Sequence, residues 1–294
     1  MKNIGLVFLL MPVTFTYSQM LYPTKLTDVE IFDYHLRDGL RRYYIKNGKS
    51  GYKNNKGEIL ISAQYEETND FENGYTIVGK NNKFFILKKD GTTTPLSFDY
   101  AIGFEQGLAL VRKNGKSGFI NTSGSIVIPP LYDDAQTFSG TYGLVKKEGK
   151  WAIIDRTGNL MTGFNFDRIN QGHHDIFTTV DNGSYFFITP SGKPLFENQQ
   201  FTYAGTFING SCVVTTSEGK TFVINIKGEQ LFELSYQNIA HPVPKYYIVS
   251  YREDKNGVLD IKGNLIIPLE YESFTVDENE NLLLKKKSIW YILK

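Results

Sequence analysis

The sequence contains a single cysteine, Cys212, so the chain cannot form an internal disulfide bond. It also has no marked excess of either charge, with 32 basic and 31 acidic residues. A protein that binds nucleic acid normally has a basic face, and electrostatic attachment to anionic lipid needs clustered basic residues. The charge balance argues against both. Because Cys212 lies in the strand-like run Ser-Cys-Val-Val, we interpret it as a small buried apolar residue.

A hydrophobic run long enough to cross a bilayer is also missing. The N-terminal apolar run, Ile4–Phe15, contains Pro12 and is shorter than the roughly 20 residues that a membrane-spanning helix needs. A basic start, a short apolar core and small residues after it are typical of a secretory signal peptide. We predict a cleavable signal peptide over residues 1–18 and a secreted or periplasmic single domain over residues 19–294, with no transmembrane segment. Cleavage removes Lys2 and no acid, which leaves equal numbers of basic and acidic residues.

Known catalytic and metal-binding motifs are missing as well. The sequence has no nucleophile elbow, phosphate-binding loop or Cys/His zinc spacing. Only two of its four histidines are adjacent, in His173-His174-Asp175. Neighbouring side chains on an extended chain point in opposite directions, so we interpret this run as an exposed loop without a ligand. We expect no catalytic residue, no cofactor and no metal site, and predict that the protein is not an enzyme.

The feature that the sequence does have is a glycine that recurs at a fixed period. Each of seven glycines lies eight residues after a landmark residue, and the landmarks are 33 to 36 residues apart. A fixed period of this size indicates a repeat architecture. The landmarks are Lys49, Lys83, Lys116, Lys150, Ser184, Lys220 and Lys255, and the glycines are Gly57, Gly91, Gly124, Gly158, Gly192, Gly228 and Gly263.

The third unit shows the pattern of one repeat. Asn114-Gly115 predicts a type I′ turn between strand A, residues 108–112, and strand B, residues 116–120, because Asn and Gly best tolerate the positive φ of both central positions. Gly124 then predicts a three-residue loop with glycine in the left-handed conformation.

The second half of this unit contains two prolines. We predict that strand C, residues 126–128, stops at Pro129-Pro130, because proline lacks the N–H that a ladder needs and belongs at a strand end or a sheet edge. The segment from Asp134 to Phe138 is a candidate for a short fourth strand D.

An aromatic residue recurs about 16 positions after each landmark, and an acid follows it in five units. We interpret the aromatic residues as part of the core between units. We interpret the acids as acceptors for backbone donors that fix the turn, rather than as catalytic or calcium-binding groups. The aromatic residues are Tyr65, Phe98, Tyr132, Phe166, Phe201, Tyr236 and Tyr271, and the acids are Glu66, Asp99, Asp133, Asp167 and Glu272.

These residues resemble the repeat of the WG repeat family of bacterial proteins. The runs Lys150–Asp155 and Ile128–Ala135 match that repeat best, and the similarity covers nearly all of residues 36–294. The signature Trp-Gly pair never occurs intact, since Trp151 is followed by Ala152. The family is usually a non-catalytic array of varying copy number, so the resemblance implies a fold more than an activity.

One unit of three or four strands cannot bury a face alone, so neighbouring units must cover each other. The chain ends with strands A and B of an eighth unit, residues 282–294, and Thr27–Phe32 resembles the C-to-D part of a unit. The predicted fold is all-β: seven antiparallel β-meander repeats of ~34 residues plus a split eighth, in a closed ring like a β-propeller. The alternative is an open β-superhelix or solenoid, which short units and varying copy number favour.

The repeat array, the export signal and the lack of catalytic motifs together predict a secreted, non-catalytic scaffold. Its partner would be an unknown protein or a cell-envelope component, and we expect a monomer that does not bind nucleic acid. The alternative is a protein that binds or hydrolyses glycans. Tyrosines outside the repeat pattern are candidates for exposed rings that stack on a ligand. These are Tyr142, Tyr203, Tyr246 and Tyr247.

Overall fold

The structure of the chain is a computed structural model. It describes residues 21–24, 37–45, 48–181, 183–196, 199–252, 255–277 and 281–293. The predicted signal peptide, residues 1–18, and the segment Thr27–Phe32 lie outside the described residues, so both interpretations stay predictions.

The described residues form an all-β protein, as the sequence predicts. Their only helical segment is a 3-10 turn at His173–Asp175. The strands pair antiparallel, and most sheets follow the order of the chain. No helix in the described ranges combines the length and the apolar composition that a bilayer crossing needs.

The chain divides into two compact units, which we describe separately. The larger spans residues 28–235, and the other joins residues from 236 onward to the N-terminal strand. The prediction of a single domain over residues 19–294 stays a prediction.

The larger unit contains the sheets of the first six repeats. The first three sheets are Leu40–Tyr44, Ser50–Asn54 and Ile59–Tyr65; Glu67–Thr68, Tyr75–Lys80, Lys83–Lys88 and Thr93–Pro95; and Tyr100–Glu105, Leu108–Lys113, Lys116–Asn121 and Ile126–Tyr132. The fourth is Asp134–Ala135, Tyr142–Lys147 and Lys150–Asp155. The fifth and sixth repeats share one sheet of Arg168–Gln171, Phe177–Asp181, Ser184–Ile188, Pro194–Leu195, Phe201–Ala204, Ser211–Thr216, Thr221–Asn225 and Gln230–Glu233.

The other unit contains the seventh and eighth sheets. The seventh is Asn238–Val243, Tyr246–Ser250, Asn256–Asp260 and Leu265–Tyr271, and the eighth is Ser273–Val276, Leu282–Lys286, Ile289–Leu293 and Leu21–Thr24. In the eighth sheet Leu21 is opposite Leu293 and Thr24 is opposite Trp290. The two ends of the chain therefore share one sheet, which is the strand pairing that the closed arrangement predicts.

The predicted turns of the third unit are confirmed. Asn114 and Gly115 have φ of 50° and 75°, as a type I′ turn requires. The seven periodic glycines all have φ between 80° and 90°. Strand D differs from the prediction, because Asp134–Ala135 pairs with Tyr142–Lys147 and so opens the fourth sheet.

The predicted end of strand C at the prolines is wrong. The strand runs from Ile126 to Tyr132 through Pro129 and Pro130. It is an edge strand that pairs only with strand B, and the register jumps from Phe119↔Ile128 to Ser117↔Tyr132. The prolines lie in this bulge, where no ladder hydrogen bond requires their missing N–H.

The bulge of strand C also requires a glycine beneath it. A Cβ on Gly118 would lie 2.5 Å from the carbonyl oxygen of Ile128 and 2.6 Å from the nitrogen of Pro130. Gly51 and Gly257 occupy the same position under strands with the same register shift. The glycine of the repeat therefore marks units whose third strand bulges over the second.

The core lies between consecutive sheets. One cluster joins Leu110 and Phe119 of the third sheet to Phe138 and Val145 of the fourth. Five similar clusters join the other consecutive pairs within each compact unit. Each repeat thus buries its apolar side chains against the next, as the sequence predicts.

Candidate functional site

The acids that follow the periodic aromatic residues act on hairpin turns. Asp133 Oδ2 accepts the N–H of Glu148 at 2.6 Å, and its Oδ1 accepts Lys116 Nζ. Asp99 accepts the N–H of Asn114 at 2.6 Å. The interpretation as turn acceptors is confirmed for Glu66, Asp99, Asp133 and Glu272, and each turn belongs to the hairpin that follows the acid. Asp167 accepts Lys150 Nζ, and its role at a turn stays a prediction.

Their pKa values fit this role. The Lys116 ammonium and then the N–H of Glu148 lower the pKa of Asp133. The N–H of Asn81 and then Lys49 lower the pKa of Glu66. Both groups are exposed carboxylates held in the ionised form, whereas a catalytic acid needs its pKa raised towards the working pH.

A second set of side chains organises the loop between strands B and C. Asp155 Oδ1 accepts the N–H of Thr157 at 2.8 Å and that of Asn159 at 2.9 Å. The Thr157 hydroxyl is the main cause that lowers the pKa of Asp155 to about 2. Sequence reasoning missed this role, although an Asn or Asp recurs at the position. The equivalents with two backbone donors are Asn54, Asn121, Asn225 and Asp260.

The interpretation of Cys212 as a buried apolar residue is confirmed. Its side chain is 3% exposed within the cluster of the fifth and sixth repeats. Burial raises the pKa of its thiol to about 12, so the thiolate is negligible at neutral pH.

The histidine run is exposed, as predicted. His173 Nδ1 accepts the N–H of Asn209 at 3.2 Å, and His174 has φ of 60°. In the described ranges no group of three His, Cys, Asp or Glu side chains is arranged to hold a metal ion.

The structure does not bring the four candidate tyrosines together. Tyr247 is 2% exposed and stacks on His241 with 4.1 Å between ring centroids, so the expectation that its ring is exposed is wrong. Tyr142 and Tyr246 are half-buried against apolar clusters. Tyr203 is exposed beside Tyr185, and a ligand-stacking role for it stays a prediction.

A different pair of tyrosines lines a cavity of about 300 Å³ in the larger unit. Tyr44 ends strand A of the first sheet and is 66% exposed, and Tyr100 begins the third sheet and is 38% exposed. The carboxylates of Glu66 and Glu67 also line this cavity. The rest of its wall is Ser50, Thr68, Asn69, Ala101 and Ile102.

A second cavity of about 200 Å³ lies next to the first, and Asn69 and Ile102 line both. We call the two together the tyrosine groove. It follows Tyr100–Glu105, the edge strand of the third sheet. Along the second sheet its wall consists of Asn69, Asp70, Phe71 and Glu72.

The groove is lined mainly by negative charge. Among the described residues, its walls contain five carboxylates and one cation, Arg37, whose Nη1 lies 3.4 Å from Glu105. Beside it, Arg42 Nε lies 3.1 Å from Asp70 Oδ1, and Lys49 Nζ lies 3.3 Å from Glu66 Oε1. The arrangement can bind a cation or an extended segment, with aromatic faces at one end and an unpaired strand edge along its length.

Sequence reasoning missed the tyrosine groove. Tyr44 precedes the first turn of its unit, which is longer than the first turns of the other units, and Tyr100 directly follows the acid Asp99. In the sequence each of them looks like an ordinary strand residue. A partial signal is the position of Tyr44, which carries a cation in three other units, such as Arg112 and Lys146, and an uncharged residue in the remaining four.

Several solved structures are similar to this chain. The crystal structure of a eukaryotic initiation factor is 13% identical, with 83% of this chain and 77% of that chain covered and a TM-score of 0.58. BamB from Moraxella catarrhalis is 14% identical over 88% of this chain and 95% of its own, with a TM-score of 0.46. The WD40 beta propeller domain of Doa1 is 10% identical over 79% and 96%, with a TM-score of 0.35. No protein of curated function matches the sequence.

A family model described as the WG containing repeat matches four regions of the chain, residues 51–84, 93–116, 118–151 and 257–284. Three of these regions begin at Gly51, Gly118 and Gly257, the glycines that lie beneath a bulged third strand. The resemblance seen in the sequence is therefore confirmed: this chain carries WG containing repeats.

Proposed function

We propose that the protein is an exported, non-catalytic repeat scaffold that binds another protein or a cell-envelope component. The observation that carries the proposal is the tyrosine groove, in which two exposed aromatic rings and a strand edge face solvent. Tyrosine rings are frequent anchors in binding interfaces because they bury a large area at little cost in conformational entropy.

The non-catalytic part of the proposal is supported by how the chain uses its reactive groups. The acids at the repeated position accept backbone donors of turns. The only thiol is buried. Under this proposal the repeated carboxylates have a structural role, because every hairpin turn needs an acceptor for its backbone donors.

Binding through the groove can be tested with the purified chain of residues 19–294. We expect a cell-envelope fraction to contain a component that binds the wild type and loses most of its affinity for Tyr44→Ala. The control is Tyr251→Ala, which removes a ring that is 51% exposed outside the groove. Equal binding by all three proteins would place the interaction outside the groove.

Export can be tested independently of binding. When the full chain is expressed in a bacterial host, we expect it in the exported fraction, with a new N-terminus at or near Gln19. A cytoplasmic protein that keeps Met1 would contradict this part of the proposal.

A second candidate function is glycan binding, which a cavity of about 280 Å³ in the sixth repeat favours. The side-chain amides of Gln199, Gln200 and Gln230 line it together with the ring of Phe222. Amides hydrogen-bond sugar hydroxyls, and an aromatic ring can stack on a sugar face. Titration with an oligosaccharide panel would test this candidate, with Gln230→Ala expected to weaken any binding.

A further inference from the structure

At one position of the repeat, the third unit carries a basic side chain that other residues of the protein hold in place. In the third unit Arg112 is opposite Ser117 across the A–B hairpin, and its Nη2 lies 2.5 Å from Asp134 Oδ1, at the start of the fourth sheet. The same guanidinium lies 5.9 Å from the centroid of the Tyr100 ring. Arg112 is therefore held by a carboxylate and an aromatic face together.

The same position carries a cation in two other units. Lys146 is opposite Trp151, and its Nζ lies 5.6 Å from that ring. Lys285 is opposite Trp290 with the same 5.6 Å separation.

The first unit has no cation at this position. Tyr44 is opposite Ser50 across its hairpin, as Arg112 is opposite Ser117. The second unit also lacks one, since Gly79 is opposite Phe84. The fifth, sixth and seventh units carry Val180, Thr215 and Ser250 at this position, so the cation belongs to three of the eight units.

The carboxylate that would receive the missing cation is nevertheless present. Glu67 is opposite Gly79 and follows Glu66, just as Asp134 is opposite Lys146 and follows Asp133. Glu67 is exposed, and no described side chain forms an ion pair with it. The place that Arg112 fills between the third and fourth sheets is open between the first and second, and it forms part of the cavity of about 300 Å³.

We propose that this cavity binds an arginine or lysine side chain of an extended segment of a partner protein. Its cationic group would form an ion pair with the Glu67 carboxylate and lie over the face of the Tyr44 ring. These two contacts correspond to those that Arg112 makes with the Asp134 carboxylate and the Tyr100 ring. This inference rests on the proposed function and names the chemistry of the partner.

The charge and shape of the groove favour an extended basic peptide over a sugar. The groove continues along the edge strand Tyr100–Glu105, whose backbone groups on one side have no ladder partner among the described strands. An extended peptide can pair with such an edge. Glu66, Asp70 and Glu105 are already ion-paired, so the excess negative charge that favours a basic side chain comes from Glu67 and Glu72, and a neutral sugar would gain nothing from it.

The test uses the mature chain, residues 19–294, and two capped pentapeptides, Gly-Ser-Arg-Ser-Gly and the same peptide with citrulline in place of arginine. Citrulline keeps the shape and removes the charge. Isothermal titration calorimetry should show binding of the arginine peptide that is at least about tenfold tighter than that of the citrulline peptide. Glu67→Gln should weaken the arginine peptide by about the same factor, while the control Glu233→Gln, an exposed acid outside the groove, should not.

Two further variants use the repeat as a template. Tyr44→Arg should abolish binding and keep the fold, because its own guanidinium fills the place next to Glu67, whereas Tyr44→Phe should retain most of the affinity. Arg112→Tyr should free Asp134 and raise the stoichiometry from one peptide to two. Circular dichroism verifies that each variant is folded.

The proposal is overturned if the two peptides bind equally, if neither binds, or if Glu67→Gln has no effect on the arginine peptide. It is also overturned if β-linked oligosaccharides bind the groove with an affinity that Tyr44→Arg abolishes and the arginine peptide does not compete. If envelope binding still depends on Tyr44 in any of these cases, the proposed scaffold function stands and only the partner chemistry is wrong.

Discussion

The residue type at single positions of this chain is explained by the packing and hydrogen bonding of the neighbouring strand or turn. Gly118 is required because the bulged third strand lies over it, with Ile128 and Pro130 too close for any Cβ. Ala152 occupies the equivalent place in the fourth sheet, where the following chain returns beside Lys150–Asp155 only through the bridges Trp151↔Phe166 and Ile154↔Leu160 and no seven-residue strand C covers it. The choice between glycine and a larger residue therefore depends on the neighbouring strand.

We expect Gly118→Ala to lower the free energy of unfolding by about 1–3 kcal/mol, because the added methyl group must displace backbone atoms. Urea unfolding would measure the change. The control is Gln136→Ala at an exposed position, expected to stay within about 0.5 kcal/mol. Unchanged stability of Gly118→Ala would show that the third strand can move away.

The loop acceptor Asp155 makes a prediction about pH. Its pKa of about 2 lies below the ordinary 3.8, so the ionised form stabilises the fold fully above the ordinary value. That contribution is lost as the pH falls through the lowered pKa. The stability difference between the wild type and Asp155→Asn should therefore shrink from about pH 5 down to about pH 2, as followed by urea unfolding.

A second variant isolates the cause of the lowered pKa. Thr157→Val removes the hydroxyl that donates to Asp155 Oδ1 at 2.7 Å. The pKa of Asp155 should rise towards its ordinary value, which an NMR titration of the carboxyl carbon would detect. No rise would assign the effect to the Asn159 amide and the backbone donors instead.

At the scale of the element, the hairpin turn is the part that the sequence predicts best. Asn114-Gly115 and the periodic glycines specify positive φ locally, and the structure has it at those residues. The path of strand C was not predictable in the same way. Pro129 and Pro130 indicate a stop when read locally, whereas the edge position and the bulge that accommodate them depend on pairing with Ser117–Phe119.

The tyrosine groove lies beyond local reasoning for a related reason. Tyr44, Glu67 and Tyr100 belong to three different sheets and meet only in the folded chain. The repeat register nevertheless contains part of the information, because it aligns Tyr44 with Arg112.

The turn of the fourth unit gives a test of this element. Glu148 has φ of 50°, a conformation that asparagine tolerates better, and Asn81 and Asn114 hold the same place in other units. Glu148→Asn should raise the free energy of unfolding by about 0.5–1 kcal/mol. Glu148→Gln is the control, because it removes the charge and keeps the unfavourable backbone conformation; an equal gain from both variants would assign the effect to charge.

At the scale of the whole molecule, consecutive sheets bury apolar residues against one another, and the eighth sheet is completed by the N-terminal strand. Similarity of the fold to widely used scaffolds does not specify a ligand, because function depends on the site that a fold carries. The sequence accordingly predicts the repeat and the shared eighth sheet. It does not predict the partner, whose proposed chemistry rests on the side chains of the groove.

Removing the N-terminal strand should destabilise the last sheet. Deletion of residues 1–24 takes away the antiparallel partner of Ile289–Leu293, so the amides of that strand should exchange with solvent faster. Hydrogen–deuterium exchange with mass spectrometry would detect this, with the chain lacking only residues 1–18 as the control. Equal exchange in the two proteins would mean that the pairing contributes little.

The register of the eighth sheet also determines where the chain can be opened. Leu21 is the first residue of its strand and Leu293 is the last residue of the neighbouring strand, and the two lie opposite each other in the ladder. A linker of a few residues would join them as an ordinary hairpin loop. A circularly permuted chain, joined there and cut at the exposed turn Glu148-Gly149, should therefore assemble the same sheets from a new starting point.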